Sequence, residues 1–166
     1  AWSDFAGKIP AEGTEARANY DKAITGDAAA QCDLGECYYY GKSVKKNKES
    51  AVYWYRRAAD QGYADAQNLL GVCYYKGHGV RKNYEEAVKW YRKAADLGNL
   101  SAKYNLADCY YNGKGVFQDT DRAKKWWRKM SDLGDERARY IMRTYDIWFN
   151  SHPNKQFWDG KNSPPI

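Results

Sequence analysis

Residues 62–97 read GYADAQNLLGVCYYKGHGVRKNYEEAVKWYRKAADL, and the fold can be predicted from this stretch. In its first half, Leu70 and Tyr74 fall on one apolar face of a helix, because side chains four residues apart share a face. Ala87 and Tyr91 do the same in the second half. The letters GHG separate the two halves. The stretch therefore predicts a helical hairpin, and we call its two helices helix A and helix B.

The same pattern recurs every 36 residues along the chain. Seven kinds of position keep this period, which chance does not produce. The periodic sets are Trp54, Trp90 and Trp126; Leu34, Leu70 and Leu106; Cys37, Cys73 and Cys109; Tyr38, Tyr74 and Tyr110; Gly41, Gly77 and Gly113; Val44, Val80 and Val116; and Ala51, Ala87 and Ala123. Three full repeats therefore run over residues 26–61, 62–97 and 98–133, and stacked hairpins of this kind share a continuous core.

Polar residues and glycines mark the helix ends in each repeat. Asn47, Asn83 and Asp119 precede helix B, and we expect their side chains to cap its free N–H groups. Asn83 with Glu86 resembles a capping box. The glycines expected to close helix B at its C-terminal end are Gly62, Gly98 and Gly134.

The segments on either side of the repeats resemble incomplete copies of the pattern. Residues 1–25 are expected to form an N-terminal leader and a capping helix, which spans about residues 12–24. Residues 134–149 are expected to form a C-terminal capping half-repeat that contains helix A alone. Terminal repeats of such arrays are usually degenerate in this way.

Residues 150–166 are expected to form an irregular C-terminal tail. Prolines and a glycine interrupt this segment, and we expect no helix from Phe149 onward. Phe157 and Trp158 are expected to dock on the array, where they either seal its end or lie in the groove as an intramolecular ligand.

The composition favours a soluble repeat protein. The 166 residues include 16 Tyr and 7 Trp but only 4 Phe, so most rings carry a polar group that needs a partner. The net charge is +6, and no apolar run approaches the roughly 18 residues of a membrane span. The sequence shows no basic-then-apolar leader. The localisation therefore stays open between the cytoplasm and an exported or periplasmic location after leader removal.

The cysteines show no catalytic or metal-binding arrangement. Cys37, Cys73 and Cys109 recur on the apolar face of helix A, and equivalent helices pack about 8–10 Å apart, so we expect buried free thiols and no disulfide. Cys32 lies outside this register and is expected to be more exposed and open to modification. The two histidines lack partners at ligand spacing, and no nucleophile triad or phosphate loop is present. We therefore expect no enzyme, no cofactor and no metal.

Taken together, these motifs resemble the Sel-1-like repeat family, a branch of the tetratricopeptide superfamily. The shared motifs are A-x-x-x-L-G-x-x-Y, G-x-G-V and A-x-x-W-Y-x-K-A-A, which the second repeat matches at 66–74, 77–80 and 87–95. The resemblance implies an all-α fold, a right-handed α/α superhelical solenoid, that acts as a non-catalytic adaptor or scaffold. A cysteine-rich bacterial subgroup of the family links the two helices of each repeat by a disulfide. The second cysteine is absent here, so the framework and ligand class of that subgroup do not transfer.

The resemblance also implies where a partner binds. In the tetratricopeptide register helix A lines the concave face, and tyrosines there supply rigid contact area with a hydrogen-bonding tip. We expect Tyr39, Tyr75 and Tyr111 to form a ladder of rings in a slightly acidic groove; the alternative is that these rings only pack on one another. The protein-binding residues expected on this face are Glu36, Tyr39, Tyr40, Asn68, Val72, Tyr75, Lys76, Tyr104, Asp108, Tyr111, Asn112, Tyr140 and Trp148, with Cys32, Thr144 and Ile147 beside them.

The expected partner is another protein or a peptide. The excess positive charge belongs to helix B and the loop before it, hence to the convex side and its rim. We expect a solvated face there; the alternative is binding of nucleic acid or of an anionic membrane surface. Motifs that enter nucleic-acid grooves or stack on bases are missing, which disfavours nucleic acid, and we expect a monomer. The sequence leaves a second function open, an inhibitor or immunity-type protein that blocks an enzyme with the same surface.

Overall fold

The computed structural model describes residues 6–151, with side chains described through residue 144. Every regular element in that range is an α-helix, so the all-α fold predicted from the sequence is confirmed. The helices are α1 (Glu15–Ala23), α2 (Ala28–Tyr40), α3 (Lys48–Asp60), α4 (Ala64–Lys76), α5 (Tyr84–Asp96), α6 (Leu100–Asn112), α7 (Thr120–Asp132) and α8 (Glu136–Ser151). In this part of the chain, no helix is both long and apolar enough to cross a membrane.

The repeats correspond to successive helix pairs. Helix A and helix B of the three repeats are α2 and α3, α4 and α5, and α6 and α7. The chain divides into two compact units, Ala1–Leu106 and Ala107–Ile166, and the boundary lies inside α6. In the first unit, each helix from α1 to α5 packs on its neighbour in the sequence. In the second unit, α7 packs on α8.

The starts of helix B follow the predicted turn chemistry. The side-chain oxygens of Asn47, Asn83 and Asp119 accept hydrogen bonds from backbone N–H groups at 3.0, 3.0 and 2.9 Å. Only half of the expected capping box forms at Asn83. Its own N–H donates to the carbonyl of Tyr74 at 2.9 Å, while the carboxylate of Glu86 accepts a hydrogen bond from a lysine one turn later.

The periodic apolar residues are buried within each unit. The buried sets include Leu34, Leu70 and Leu106; Cys37, Cys73 and Cys109; and Ala51, Ala87 and Ala123. The glycine after the motif leucine has a steric role, because a Cβ added at Gly71 would lie 2.6 Å from the ring of Tyr91, and one at Gly35 would lie 2.6 Å from the ring of Tyr55. Helix B tyrosines therefore pack directly on the helix A backbone.

An N-terminal segment before α1 makes hydrogen bonds to the first repeat. The helix expected over about residues 12–24 spans Glu15–Ala23. Ahead of it, the carbonyl of Lys8 accepts a hydrogen bond from the Tyr38 hydroxyl at 2.7 Å, and the carbonyl of Ala6 accepts one from Trp54 Nε1 at 2.9 Å. The segment thus satisfies polar groups of two core rings.

The C-terminal helix is longer than the sequence predicts. The expectation that the chain is non-helical from Phe149 is wrong for residues 149–151, since α8 continues to Ser151. The first proline of the tail is Pro153, and it disfavours helical backbone most directly at the residue before it, which lies beyond Ser151. The expected docking of Phe157 and Trp158 concerns residues outside the described range.

Candidate protein-binding face

Three rings from two repeats meet near the end of α2. Tyr39 and Tyr40 are the last residues of α2, and their ring centroids lie 4.9 Å apart in an edge-to-face arrangement. The Tyr39 hydroxyl is hydrogen-bonded to Nδ1 of His78 at 2.6 Å. Tyr39 is half-buried, whereas the Tyr40 side chain is 59% exposed. We call Tyr39, Tyr40 and His78, together with Lys42 and Lys48, the Tyr39 cluster.

Lysines give this cluster a positive charge. The Lys48 ammonium lies 5.2 Å from the centroid of the Tyr39 ring, and that of Lys42 lies 5.4 Å from the Tyr40 ring. Both distances are within the range of cation–π attraction. The expectation of a slightly acidic face is therefore wrong at this place, because the lysines of the turn after α2 and of the α3 start reach the tyrosines that the sequence assigned to the groove.

The face continues onto α4. Val72 and Tyr75 are half-buried there and Lys76 is exposed, while Glu36 is half-buried on α2. The Tyr75 ring packs edge-on against Tyr84, with the centroids 5.0 Å apart. These four residues keep some exposed surface on α2 and α4.

Three of the predicted binding residues are buried. Asn68 is 8% exposed, Tyr104 8% and Tyr111 2%, so the expectation that they point into an open groove is wrong. The Asn68 side chain accepts a hydrogen bond from Asn105 Nδ2 at 2.9 Å and so joins α4 to α6. Tyr111 packs on Trp127, with the centroids 5.5 Å apart. For Asn68 and Tyr111, contacts with neighbouring helices cover the surface that the sequence predicted to bind a partner.

The remaining predicted residues lie in the second unit. Asn112 Nδ2 donates to the Asp108 carboxylate at 3.1 Å. Burial raises the pKa of Asp108, and the hydrogen bond from Asn112 opposes this shift. Tyr140 is 62% exposed. The side chain of Trp148 lies outside the described residues.

The cysteine off the repeat register is buried. Cys32 is 4% exposed, which corrects the expectation of an accessible, modifiable thiol. Burial, followed by the charge of Glu36, raises its pKa to about 12, and burial also raises the pKa of Cys73 and Cys109 to about 12. Because the thiolate is the reactive form, these thiols are inert core groups. In the described part of the chain, no three His, Cys, Asp or Glu side chains are placed to hold a metal ion.

His78 contacts Tyr39, and the sequence did not predict it as part of this face. Burial lowers its pKa, and the charges of Lys48, Lys76 and Lys46 lower it further. Its contact with Tyr39 joins the loop of the second repeat to helix A of the first. Its position within the repeat was visible in the sequence, since His78 stands where the first repeat has Lys42.

Comparison with known families and proteins finds the same repeat. The Sel1 repeat profile matches residues 28–63, 64–99 and 100–135. Over 39 residues, 24% of this chain and 7% of the relative, the chain is 51% identical to a putative sel1-like repeat-containing protein L18 of Acanthamoeba polyphaga mimivirus. Over 44 residues, 26% of this chain and 5% of the relative, it is 46% identical to chitin synthase regulatory factor 3 of Schizosaccharomyces pombe. The chain thus spans a small part of either relative.

Three solved structures share the fold. The protective antigen c5321 of uropathogenic Escherichia coli, which displays an SLR fold, is 36% identical with a TM-score of 0.74, over 84% of this chain and 29% of that chain. A Sel1 repeat protein from Oxalobacter formigenes is 35% identical with a TM-score of 0.66, over 76% of this chain and 95% of that chain. Cysteine rich protein B of Helicobacter pylori is 28% identical with a TM-score of 0.60, over 79% of this chain and 99% of that chain.

Proposed function

This chain belongs to the Sel1 repeat family, whose members are generally protein-interaction scaffolds, and from this premise we propose that it binds a segment of another protein at the Tyr39 cluster. Repeats of this family are typically non-catalytic. The proposed binding surface takes in Glu36, Val72, Tyr75 and Lys76 around the cluster.

One observation supports this site above the other predicted residues. Tyr40 is a large ring that is 59% exposed, yet it is held in place by the Tyr39 ring at 4.9 Å, which is in turn hydrogen-bonded to His78. A ring that is already ordered loses little conformational entropy when a partner covers it. Tyrosines of this kind are frequent among the residues that dominate interface energies.

The cluster favours a particular kind of partner segment. Its rings offer apolar faces, and the ammonium groups of Lys42 and Lys48 lie beside them. A segment that alternates apolar and hydrogen-bond-accepting groups would satisfy both features. We expect an extended or helical segment of a protein, as in other scaffold repeats, rather than an enclosed small molecule.

The test compares two variants that each remove one exposed ring and one exposed lysine. Tyr40→Ala/Lys42→Ala changes the cluster, and Phe117→Ala/Lys125→Ala is the control, since Phe117 is 97% exposed. Partners captured by the wild-type protein from the native host's lysate are identified by mass spectrometry and purified, and their affinities are measured by calorimetry. We expect the cluster variant to raise Kd about tenfold and the control to leave it unchanged.

Equal Kd values for the wild-type protein and both variants would show that the cluster is not the binding site. The activity of the purified partner, measured with and without this protein, separates the two functions. An adaptor leaves that activity intact, whereas the inhibitor or immunity-type alternative abolishes it.

A further inference from the structure

A basic cleft lies between the N-terminal segment and the loop that joins α2 to α3. Its volume is about 450 Å³, which falls in the range of about 300–1,000 Å³ usual for ligand pockets. Residues 7–11 form one wall, and residues 43–47 together with Tyr38 form the other. None of its lining residues belongs to the Tyr39 cluster.

The cleft lies where the first repeat lacks a packing contact that the second repeat makes. In the second repeat, the loop residue Gly79 packs so tightly on the start of α3 that an added Cβ would lie 2.2 Å from the carbonyl oxygen of Lys48. The equivalent residue of the first repeat is Ser43, which lines the cleft. The place that α3 fills beside the second repeat is therefore open beside the first.

Three cations line this space. Lys8, Lys45 and Lys46 are exposed, and within residues 6–144 none of their ammonium groups makes a salt bridge. The lining also includes Asn47, the residue that caps α3, so the positive end of that helix adds to the field of the lysines. Ile9, Pro10 and Val44 supply apolar surface between the charges.

We propose that this cleft binds an acidic segment of a partner protein, with side-chain carboxylates of the segment paired to Lys8, Lys45 and Lys46. Carboxylates match the charge of the three ammonium groups, none of which forms a salt bridge with a residue of the range 6–144. The apolar residues between them suit the methylene groups of glutamate side chains. The open shape of the cleft suits a short length of extended chain. The cleft shares no residue with the Tyr39 cluster, and the two sites are tested with different variants and different probes.

The test uses a defined probe, a fluorescein-labelled hexaglutamate peptide with blocked ends, and hexaglutamine as the neutral control. Binding is measured by fluorescence anisotropy at low ionic strength, where charge pairing is least screened. We expect Lys45→Gln/Lys46→Gln to raise the Kd for hexaglutamate by about fivefold, since two exposed ion pairs are lost. The matched control is Arg81→Gln/Lys82→Gln, which removes the equivalent charges of the second repeat. We expect the control to change Kd by less than about twofold.

Amide chemical-shift mapping of the wild-type protein locates the peptide directly. Shifts concentrated at residues 7–11 and 43–47 support the proposal. Because this measurement uses the wild-type protein, it tests the site even if a variant is unstable. The proposal is overturned by shifts elsewhere, by equal losses in both double variants, or by equal binding of hexaglutamine. Tighter binding of oligothymidylate than of hexaglutamate at the same residues would overturn it in favour of a nucleic-acid site.

Discussion

The first and second repeats each have a buried glutamine at the same position of helix A. Within the described residues, both the amide nitrogen and the amide oxygen are hydrogen-bonded in the first repeat, but only the nitrogen is in the second. The amide nitrogens of Gln31 and Gln67 donate to carbonyls of the preceding helix at 3.0 and 3.1 Å. The oxygen of Gln31 accepts a hydrogen bond from Gln61 at 2.8 Å. In the second repeat Leu97 stands in place of Gln61, and the buried oxygen of Gln67 has no hydrogen-bond partner within the described residues.

The periodic tyrosines of the two repeats also have different hydrogen-bond partners. The hydroxyl of Tyr38 donates to the Lys8 carbonyl in the N-terminal segment, whereas the hydroxyl of Tyr74 accepts from the guanidinium of Arg56 in the preceding repeat. The repeat pattern therefore decides which groups are buried, and the neighbouring segment decides what they bond to. Exchanging residues between equivalent positions tests this difference.

The largest effect is expected from exchanging the loop residues Gly79 and Ser43. Gly79→Ser places a Cβ against the carbonyl of Lys48 in a backbone with φ +71°, and we expect it to lower the free energy of unfolding by about 3 kcal/mol, from steric clash and left-handed strain together. Ser43 already has a φ of 60° and is exposed. Ser43→Gly should therefore change stability by less than about 1 kcal/mol.

Urea unfolding of both variants, followed by circular dichroism, measures this difference. A loss below about 1 kcal/mol for Gly79→Ser would mean that the second loop does not pack tightly on α3. The structural basis of the basic cleft would then be lost as well, because the cleft is defined by the absence of that packing beside the first repeat.

The sequence predicts the fold closely because the repeat period, the caps and the small residues are all local signals. The placement of Tyr39 and Tyr40 at the end of one helix was also predictable, but the contact between their rings was not, because adjacent residues of a helix point in different directions. The contact of Tyr39 with His78 was not, because it depends on how successive repeats are offset in space. The burial of Asn68 and Cys32 was missed for the same reason, since helical spacing alone does not tell how closely a neighbouring helix approaches.

A smaller effect is expected from exchanging the residues at 61 and 97. Gln61→Leu leaves the buried oxygen of Gln31 unpaired, and we expect a loss of about 1 kcal/mol in the free energy of unfolding. Leu97→Gln should do the reverse, because it supplies a donor for Gln67 and removes a leucine side chain that is 59% exposed. We expect a gain of about 1 kcal/mol.

The same unfolding measurement tests this exchange, with Leu133→Gln as the control. Leu133 is the equivalent residue of the third repeat and is 79% exposed, but the third repeat has Lys103 in place of the glutamine. If Leu133→Gln raises the free energy of unfolding as much as Leu97→Gln does, the gain comes from replacing an exposed leucine. Only a larger gain at residue 97 identifies the unpaired oxygen of Gln67 as the cause.

The smallest effect is expected from pH, and it concerns the loop position where the second repeat has His78 and the first has Lys42. The pKa of His78 lies below its ordinary value of 6.5, because burial and nearby lysines disfavour its protonated form. The folded protein therefore binds this proton more weakly than the unfolded chain does. The corresponding stability is complete above pH 6.5 and is lost as the pH falls through the lowered pKa. Because His78 is partly exposed, we expect a loss of less than about 0.5 kcal/mol.

His78→Gln isolates this contribution, because glutamine keeps a polar group near the Tyr39 hydroxyl but does not titrate. The difference in unfolding free energy between the wild-type protein and the variant, measured as a function of pH, cancels every other titrating group, including His152. We expect that difference to favour the wild-type protein most strongly above pH 6.5 and to shrink on acidification. A difference that grows on acidification would mean that Nδ1 is protonated in the folded state and that a charged His78 donates to Tyr39. The Tyr39 cluster would then carry one more positive charge than the two lysines supply.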